Sequence, residues 1–374
     1  MIKIIPLAKP YVGEEEIKAV SEVIRSGWLS LGPKLTEFEN KFAEFIGTKH
    51  AVAVNSGTSG LHLCIKALNI KPGDEVITSS FSFVASSNPV ILEGGKPVFV
   101  DIDERTYNID PQKLEEAITE NTKAVVLVHI FGQPCNMEAI MKIAEKKRIP
   151  IIEDACEALG AAFNGKKVGT FGEASVFGFY PNKQITTGEG GIIVTNDDEI
   201  AAMYRSWRNQ GRDDSGEWLN HVRIGYNYRI DELSCAMGLE QLKKVDFILN
   251  KRREIADKYT EKLKHIDEII TPYVDPKVEI SWWVYYLQAK EGLDRNKILG
   301  YLNENGISSR AYFYPPIHLQ PIYKKLFGYV GGELPVTERV SSRGFIIPFF
   351  IDMTNEQIDR VCAVIARAVK RHKR

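Results

Sequence analysis

The stretch AVAVNSGTSGLHLCIKAL, residues 51–68, joins two hydrophobic periods. Ala51–Val54 is a short apolar run of the kind that forms a buried strand, whereas Leu61, Cys64, Ile65 and Leu68 recur at i, i+3, i+4 and i+7, the spacing of one helix face. Between them lies Asn55-Ser56-Gly57-Thr58-Ser59. A glycine there lets the backbone approach an anion, and the free N–H groups at the start of a helix favour a phosphate. An ordinary capped turn uses the same residues, so the phosphate reading depends on what accompanies it.

The same rhythm continues outward. EVIT (75–78), PVFVDI (97–102), AVVLVHI (124–130), PIIEDA (150–155), ASVFGF (174–179) and GGIIVT (190–195) alternate with amphipathic stretches such as 137–147. That pattern predicts βα units on a mostly parallel sheet of seven strands flanked by helices, an α/β domain covering residues 1–245 with an N-terminal arm. A charged helical stretch from about 240 to 263 has the length and polarity of an element bridging two domains. Beyond it a strand-like SWWVYYLQA (281–289), a helix near 294–304 and a last helix near 356–370 predict a smaller α+β domain over 246–374. The segment YFYPPIHLQP (312–321) is too irregular for an element and too aromatic for a passive linker. Two domains also suit 374 residues, which exceed what a single core usually holds.

Lys+Arg total 48 against 49 for Asp+Glu, so no bulk field draws the chain to nucleic acid or an anionic membrane, and an anionic substrate must be held by local groups. The five cysteines are scattered, without zinc-ligand spacing or a disulfide framework, which suits free thiols in a reducing compartment. No stretch has the uninterrupted apolar length of a membrane span, and MIKIIPLAKP lacks the apolar core of a signal peptide. The expectation is a cytoplasmic protein that binds neither nucleic acid nor membrane, with no metal.

Asp154 ends the apolar run PIIE, where a parallel strand would deliver its carboxylate to the ligand-binding edge of the sheet. A carboxylate there needs a cation, and a protonated pyridine nitrogen is one; capping of the following helix is the competing reading. Lys183 stands in FGFYPNKQITTGEGG (177–191), with Phe177, Phe179, Tyr180 and Pro181 before it and Gly188, Gly190 and Gly191 after it. Such surroundings argue for a desolvated amine rather than a solvated charge, which is what a Schiff base with an aldehyde cofactor requires.

Together with these motifs, SGWLSLGP (26–33), PGDEVI (72–77), PVFVDID (97–103), GQP (132–134), GYNYR (225–229) and HLQPIY (318–323) follow one another in an order that resembles the DegT/StrS family of sugar-nucleotide aminotransferases over nearly the whole chain. The resemblance implies the fold of aspartate aminotransferase, fold type I, and pyridoxal 5'-phosphate as cofactor. Lys183 would then carry the cofactor as a Schiff base and move the proton once released, and Asp154 would pair with the pyridine nitrogen. Phe83 would stack on the ring, and Gly57 and Thr58 would bind the phosphate, joined by Asn227 from the partner of a homodimer. Arg229 would meet the donor carboxylate or a sugar phosphate, and His318, with Tyr312 and Tyr314, would reach from the small domain toward the sugar, though a packed aromatic turn explains those residues nearly as well. Two residues depart from the family pattern: Gly178 stands where a serine commonly serves the phosphate, and Glu157 where a neutral or imidazole side chain often faces the phenolic oxygen.

By the same resemblance the reaction is transfer of an amine from L-glutamate to carbon 3 or 4 of a nucleotide-linked keto sugar, with a 4-keto-6-deoxy hexose and a surface glycan such as lipopolysaccharide as the expected setting. Sister dehydratases, which replace the Schiff-base lysine, commonly by histidine, are the nearest alternative. A non-catalytic regulator is the other, and the sequence offers it neither a helix-turn-helix nor a basic face.

Overall fold

Each of the seven expected runs forms a strand in the computed structural model, which describes residues 4–213 and 219–373. In chain order they are β1 (His50–Val54), β2 (Glu75–Ser79), β3 (Lys96–Val100), β4 (Thr122–Val128), β5 (Ile151–Asp154), β6 (Ala174–Gly178) and β7 (Gly191–Thr195). They pair in the order β1-β7-β6-β5-β4-β2-β3. All neighbours are parallel except that β7 runs antiparallel to both β1 and β6.

The sheet is covered on both faces, which is why its strands read as continuous apolar runs. Along β1, Ala51 and Ala53 join a cluster with Phe38, Phe42 and Phe177, while Val52 and Val54 join another with Leu61, Cys64 and Val176. The period of two thus divides one strand between two cores. The helices expected from sequence are present at Gly57–Ala67 and Met137–Lys147.

The tail forms a three-stranded antiparallel sheet, β8 (Ile269–Ile270), β9 (Tyr285–Ala289) and β10 (Gly344–Ile347), with β9 in the centre. The helices Arg295–Glu304 and Asn355–His372 pack against it. The charged stretch after 240 is two helices, Glu232–Lys243 and Val245–Leu263, rather than one. The second does bridge: Val245 and Ile248 pack with the large sheet's cluster, and Ile255, Tyr259 and Leu263 pack with the small sheet's. The N-terminal arm crosses over as well, since Ile5 is buried in the small sheet's core and bridges to Ile307.

SWWVYYLQA is a strand only from Tyr285 onward. Its first residues leave the small sheet to hydrogen-bond a loop of the large one: Ser281 N–H donates to Gly132 O at 3.0 Å and Trp283 N–H to Phe131 O at 3.1 Å. Trp282 between them takes φ +50°. No helix among the described residues is long and apolar enough to cross a membrane.

Candidate active site

The parallel strands β4, β5 and β6 end on one edge of the sheet, and a cavity of ≈ 500 Å³ opens there, within the size range of small-molecule sites. β5 is the central strand of the seven, and Asp154 is its last residue. The carboxylate is buried and oriented from two sides: Oδ2 accepts from Ser86 Oγ at 2.7 Å, and Oδ1 from Cys156 N–H at 3.2 Å. Ser86 is in turn tied to Ser82 at 2.8 Å. This is a positioned carboxylate that faces a cavity, with no side-chain cation bound to it among the described residues, rather than a helix cap.

Lys183 enters from the loop after β6. That loop closes on itself, with Phe179 N–H donating to Gly190 O and Thr187 N–H to Phe179 O, and Lys183 N–H donating to Tyr180 O at 2.9 Å. Phe179 anchors it through edge contacts to Phe38 and Phe42, each at 5.6 Å. The aromatic residues before Lys183 therefore play a different part from the expected one. Phe177 and Phe179 turn into the core, and the ring that faces the amine is Trp283, whose centroid lies 3.7 Å from Nζ. The side chain of Lys183 is only 13% exposed, so the amine is desolvated as anticipated.

Glu157 Oε1 lies 4.0 Å from Lys183 Nζ, and Oε2 accepts from Phe131 N–H at 2.8 Å. Burial pushes the Glu157 carboxyl up to about 7, with the lysine charge and the Phe131 amide pulling it back and the Asp154 charge adding to the rise. Phe131 aims its amide from left-handed backbone at φ +55°. On the opposite wall the helix Gly57–Ala67 begins with Gly57 and Thr58 at the cavity; Ser56 caps only the Ser59 amide at 3.1 Å. The first N–H groups of a helix have no partner within it and are available to an anion. A Cβ at Gly57 would sit 2.8 Å from Cys156 Sγ, so a side chain there would force the thiol to turn away. Phe83 also lines the cavity and is 62% exposed, its ring free to cover a ligand.

Tyr312 completes the set from the small sheet's side, 5.7 Å from the Trp283 ring. Gly57, Thr58, Phe83, Asp154, Glu157, Lys183 and Tyr312 thus meet in one place. Gly178 lines the cavity too, leaving room that Cys156 borders at 3.4 Å. The donor set matches an aldehyde-bearing pyridine with a phosphate arm: an amine, a carboxylate for the ring nitrogen, a ring to stack and a helix start for the phosphate.

Four expected residues, Asn227, Arg229, Tyr314 and His318, do not line this cavity. Asn227 is exposed on the loop after residue 219, and Arg229 is half-buried with Nη1 donating to Asn209 Oδ1 at 3.2 Å. His318 corrects the reading from sequence: it is fully buried, its Nδ1 2.7 Å from Ser80 Oγ and its Nε2 3.2 Å from Glu338 Oε1. It fastens the turn 317–319 to the end of β2, the packed aromatic turn, and does not reach toward the sugar. Tyr314 is 53% exposed and stacks under Arg295, 4.6 Å away. Trp283, Ser86 and Cys156 escaped the sequence reading. Ser86 lies in SFSFVASSN, where its spacing from Phe83 is the one available clue; nothing in SWWVYYLQA marks Trp283.

The model of the DegT/DnrJ/EryC1/StrS aminotransferase family matches residues 10–366. GDP-perosamine synthase of Caulobacter vibrioides is 40% identical over 365 residues, 96% of this chain and 97% of that one. The solved structure of Helicobacter pylori PseC, an aminotransferase involved in the biosynthesis of pseudoaminic acid, matches with TM-score 0.93 at 32% identity, over 99% of this chain and 100% of that chain. The PLP form of Spr1654 from Streptococcus pneumoniae matches with TM-score 0.94 at 28% identity, over 98% and 99%. This chain therefore belongs to the DegT/DnrJ/EryC1/StrS aminotransferase family and uses pyridoxal phosphate.

Proposed function

We propose that this chain transfers an amine from L-glutamate to a nucleotide-linked keto sugar, of the 4-keto-6-deoxy hexose class, for a surface polysaccharide, and works as a cytoplasmic homodimer. The observation that carries the reading is the meeting of Lys183, Asp154, Phe83 and the start of helix Gly57–Ala67 in one cavity. The relative named GDP-perosamine synthase supports the sugar class.

When bound, pyridoxal phosphate supplies the electron sink that weakens the bond to hydrogen at the amine-bearing carbon. The chain's residues do the rest. Lys183 Nζ would hold the cofactor's aldehyde carbon and, when free, would be the group that moves the proton between the amine-bearing carbon and the cofactor within each half of the cycle. Asp154, oriented by Ser86 and the Cys156 amide, would keep the proton on the ring nitrogen. Gly57 and Thr58 amides would hold the phosphate, Phe83 would cover the ring, and Glu157 would lie on the side of the phenolic oxygen. Tyr312 and Trp283 wall the sugar side and exclude water.

The dimer reading rests on the GYNYR segment. Tyr226 and Tyr228 stack on each other at 4.8 Å and are pinned inward, Tyr228 OH to His62 Nδ1 at 2.8 Å and Tyr226 OH to Glu93 at 3.1 Å. Asn227 between them is exposed, which suits a contact with a partner subunit. Exposed apolar groups such as Trp28 at 58% and Ile224 at 87% suit a covered face. Arg229, half-buried and near Arg212 and Arg208, the latter paired with Glu39, has its pKa lowered, first by burial; its planar fork suits the donor carboxylate or a sugar phosphate.

The test is turnover of GDP-4-keto-6-deoxymannose with ¹⁵N-labelled L-glutamate, read by mass spectrometry. Label in an amino-sugar nucleotide is the expected result. Loss of a sugar hydroxyl without incorporation of label would favour the dehydratase, against which the presence of Lys183 already counts.

A further inference from the structure

Arg252, on the bridging helix Val245–Leu263, is 5% exposed. Its Nη1 donates to the carbonyls of Trp282 at 3.1 Å and Trp283 at 3.2 Å, and its Nη2 to the carbonyl of Lys183 at 3.3 Å. Among the described residues no carboxylate pairs with it; burial lowers its pKa, to about 10, and its Nε has no hydrogen-bond partner there. Besides the three carbonyls it meets the face of Phe349 at 5.5 Å. A buried guanidinium without an acid is costly, and cheaper apolar residues would fill a merely structural site.

The carbonyls it gathers belong to two segments far apart in the sequence, 182–184 and 281–283. They are laced together by further bonds: Trp283 Nε1 donates to Asn182 O at 2.9 Å, and Gln184 Nε2 donates to Ser281 Oγ at 2.9 Å and to Glu157 O at 2.6 Å. The outcome of this lacing is the 3.7 Å approach of Lys183 Nζ to the Trp283 ring. An aromatic face favours the positively charged form of a nitrogen placed over it.

We infer that Arg252 is a positioning residue for amino transfer. Its guanidinium fixes the backbone of Lys183 and that of Trp282–Trp283 in one frame, and so sets the amine against the indole. Arg252 does not line the cavity and touches neither cofactor nor substrate. It acts through Lys183 and Trp283, and because it stands on the bridging helix it makes the amine's position depend on how the small sheet's leading segment is seated.

The inference rests on the aminotransferase reading, and its test separates the two. Arg252→Met and Arg252→Lys are made in the full chain loaded with pyridoxal phosphate. The Met variant is expected to lose about ten-fold or more in kcat with KM for the keto-sugar nucleotide within about two-fold, since misplacing a reacting group costs rate before it costs binding. The pH midpoint of the cofactor's visible band should fall by about half a unit as the ring contact is lost, and Arg252→Lys should recover part of both. Should the Met variant not fold, the Lys variant decides alone, with kcat several-fold down and the midpoint displaced in the same direction. A folded variant whose only change is a lower Tm, with kcat per bound cofactor and midpoint those of the parent, overturns the inference. The midpoint needs no turnover, so it still reports on Arg252 if the parent fails to aminate a sugar, which would count against the proposed function instead.

Discussion

Replacing Glu157 by Gln should change how stability depends on pH. The carboxyl is buried, and its pKa is raised from an ordinary 4.5 to about 7. Between those values the unfolded chain has released this proton while the folded chain keeps it, so the folded state binds more protons and stability falls as pH rises. The contribution is fully present below about 4.5 and is lost by the time pH passes about 7. A displacement of this size corresponds to at most about 3 kcal/mol across the interval. Glutamine keeps an oxygen to accept the Phe131 amide, so the substitution removes the titration with little change in shape. The assay is urea unfolding of the cofactor-free protein and of Glu157→Gln at steps from pH 4.5 to 7.5, reading the difference between the two so that other titrating groups cancel. The variant should gain on the parent by about 3 kcal/mol over that range. A difference that stays flat within about 0.5 kcal/mol would refute the claim that Glu157 is held protonated by burial beside Lys183.

Asp154→Asn should retain cofactor but lose about 100-fold or more in kcat, because an amide cannot offset a protonated ring nitrogen; single-turnover rates with L-glutamate check it. Gly57→Ala should weaken cofactor retention, since its Cβ would meet Cys156 Sγ at 2.8 Å; adding Cys156→Ala should restore much of it, and dialysis against buffer measures both. A hybrid dimer of Asn227→Ala and Lys183→Ala subunits should hold one fully working site, since the intact Lys183 then meets the intact Asn227 across the interface; a hybrid with no site that retains cofactor better than the Asn227→Ala homodimer, counted by active-site titration, would contradict sharing.

The seven strands were legible because a sheet covered on both faces leaves a mark in every strand, and Asp154 and Lys183 because strand ends and a glycine-rich loop announce themselves locally. Trp283 lies a hundred residues beyond Lys183, and bonds to the loop 131–132, to Arg252 and to the segment 182–184 bring it to the amine. Those long-range bonds also cut the expected strand short. Arg252 read as one more charge on a polar helix, since burial on one turn cannot be told from composition. His318 misled because an aromatic, proline-rich turn looks alike whether it faces a ligand or packs against Ser80 and Glu338.

The visible absorption spectrum of the purified, cofactor-loaded protein, recorded before and after addition of L-glutamate, bears on the central claim most directly. A band from the Lys183-bound cofactor that gives way to the amine form of the cofactor is the predicted result. A band that glutamate leaves untouched, or no band even after pyridoxal phosphate is supplied, would contradict it.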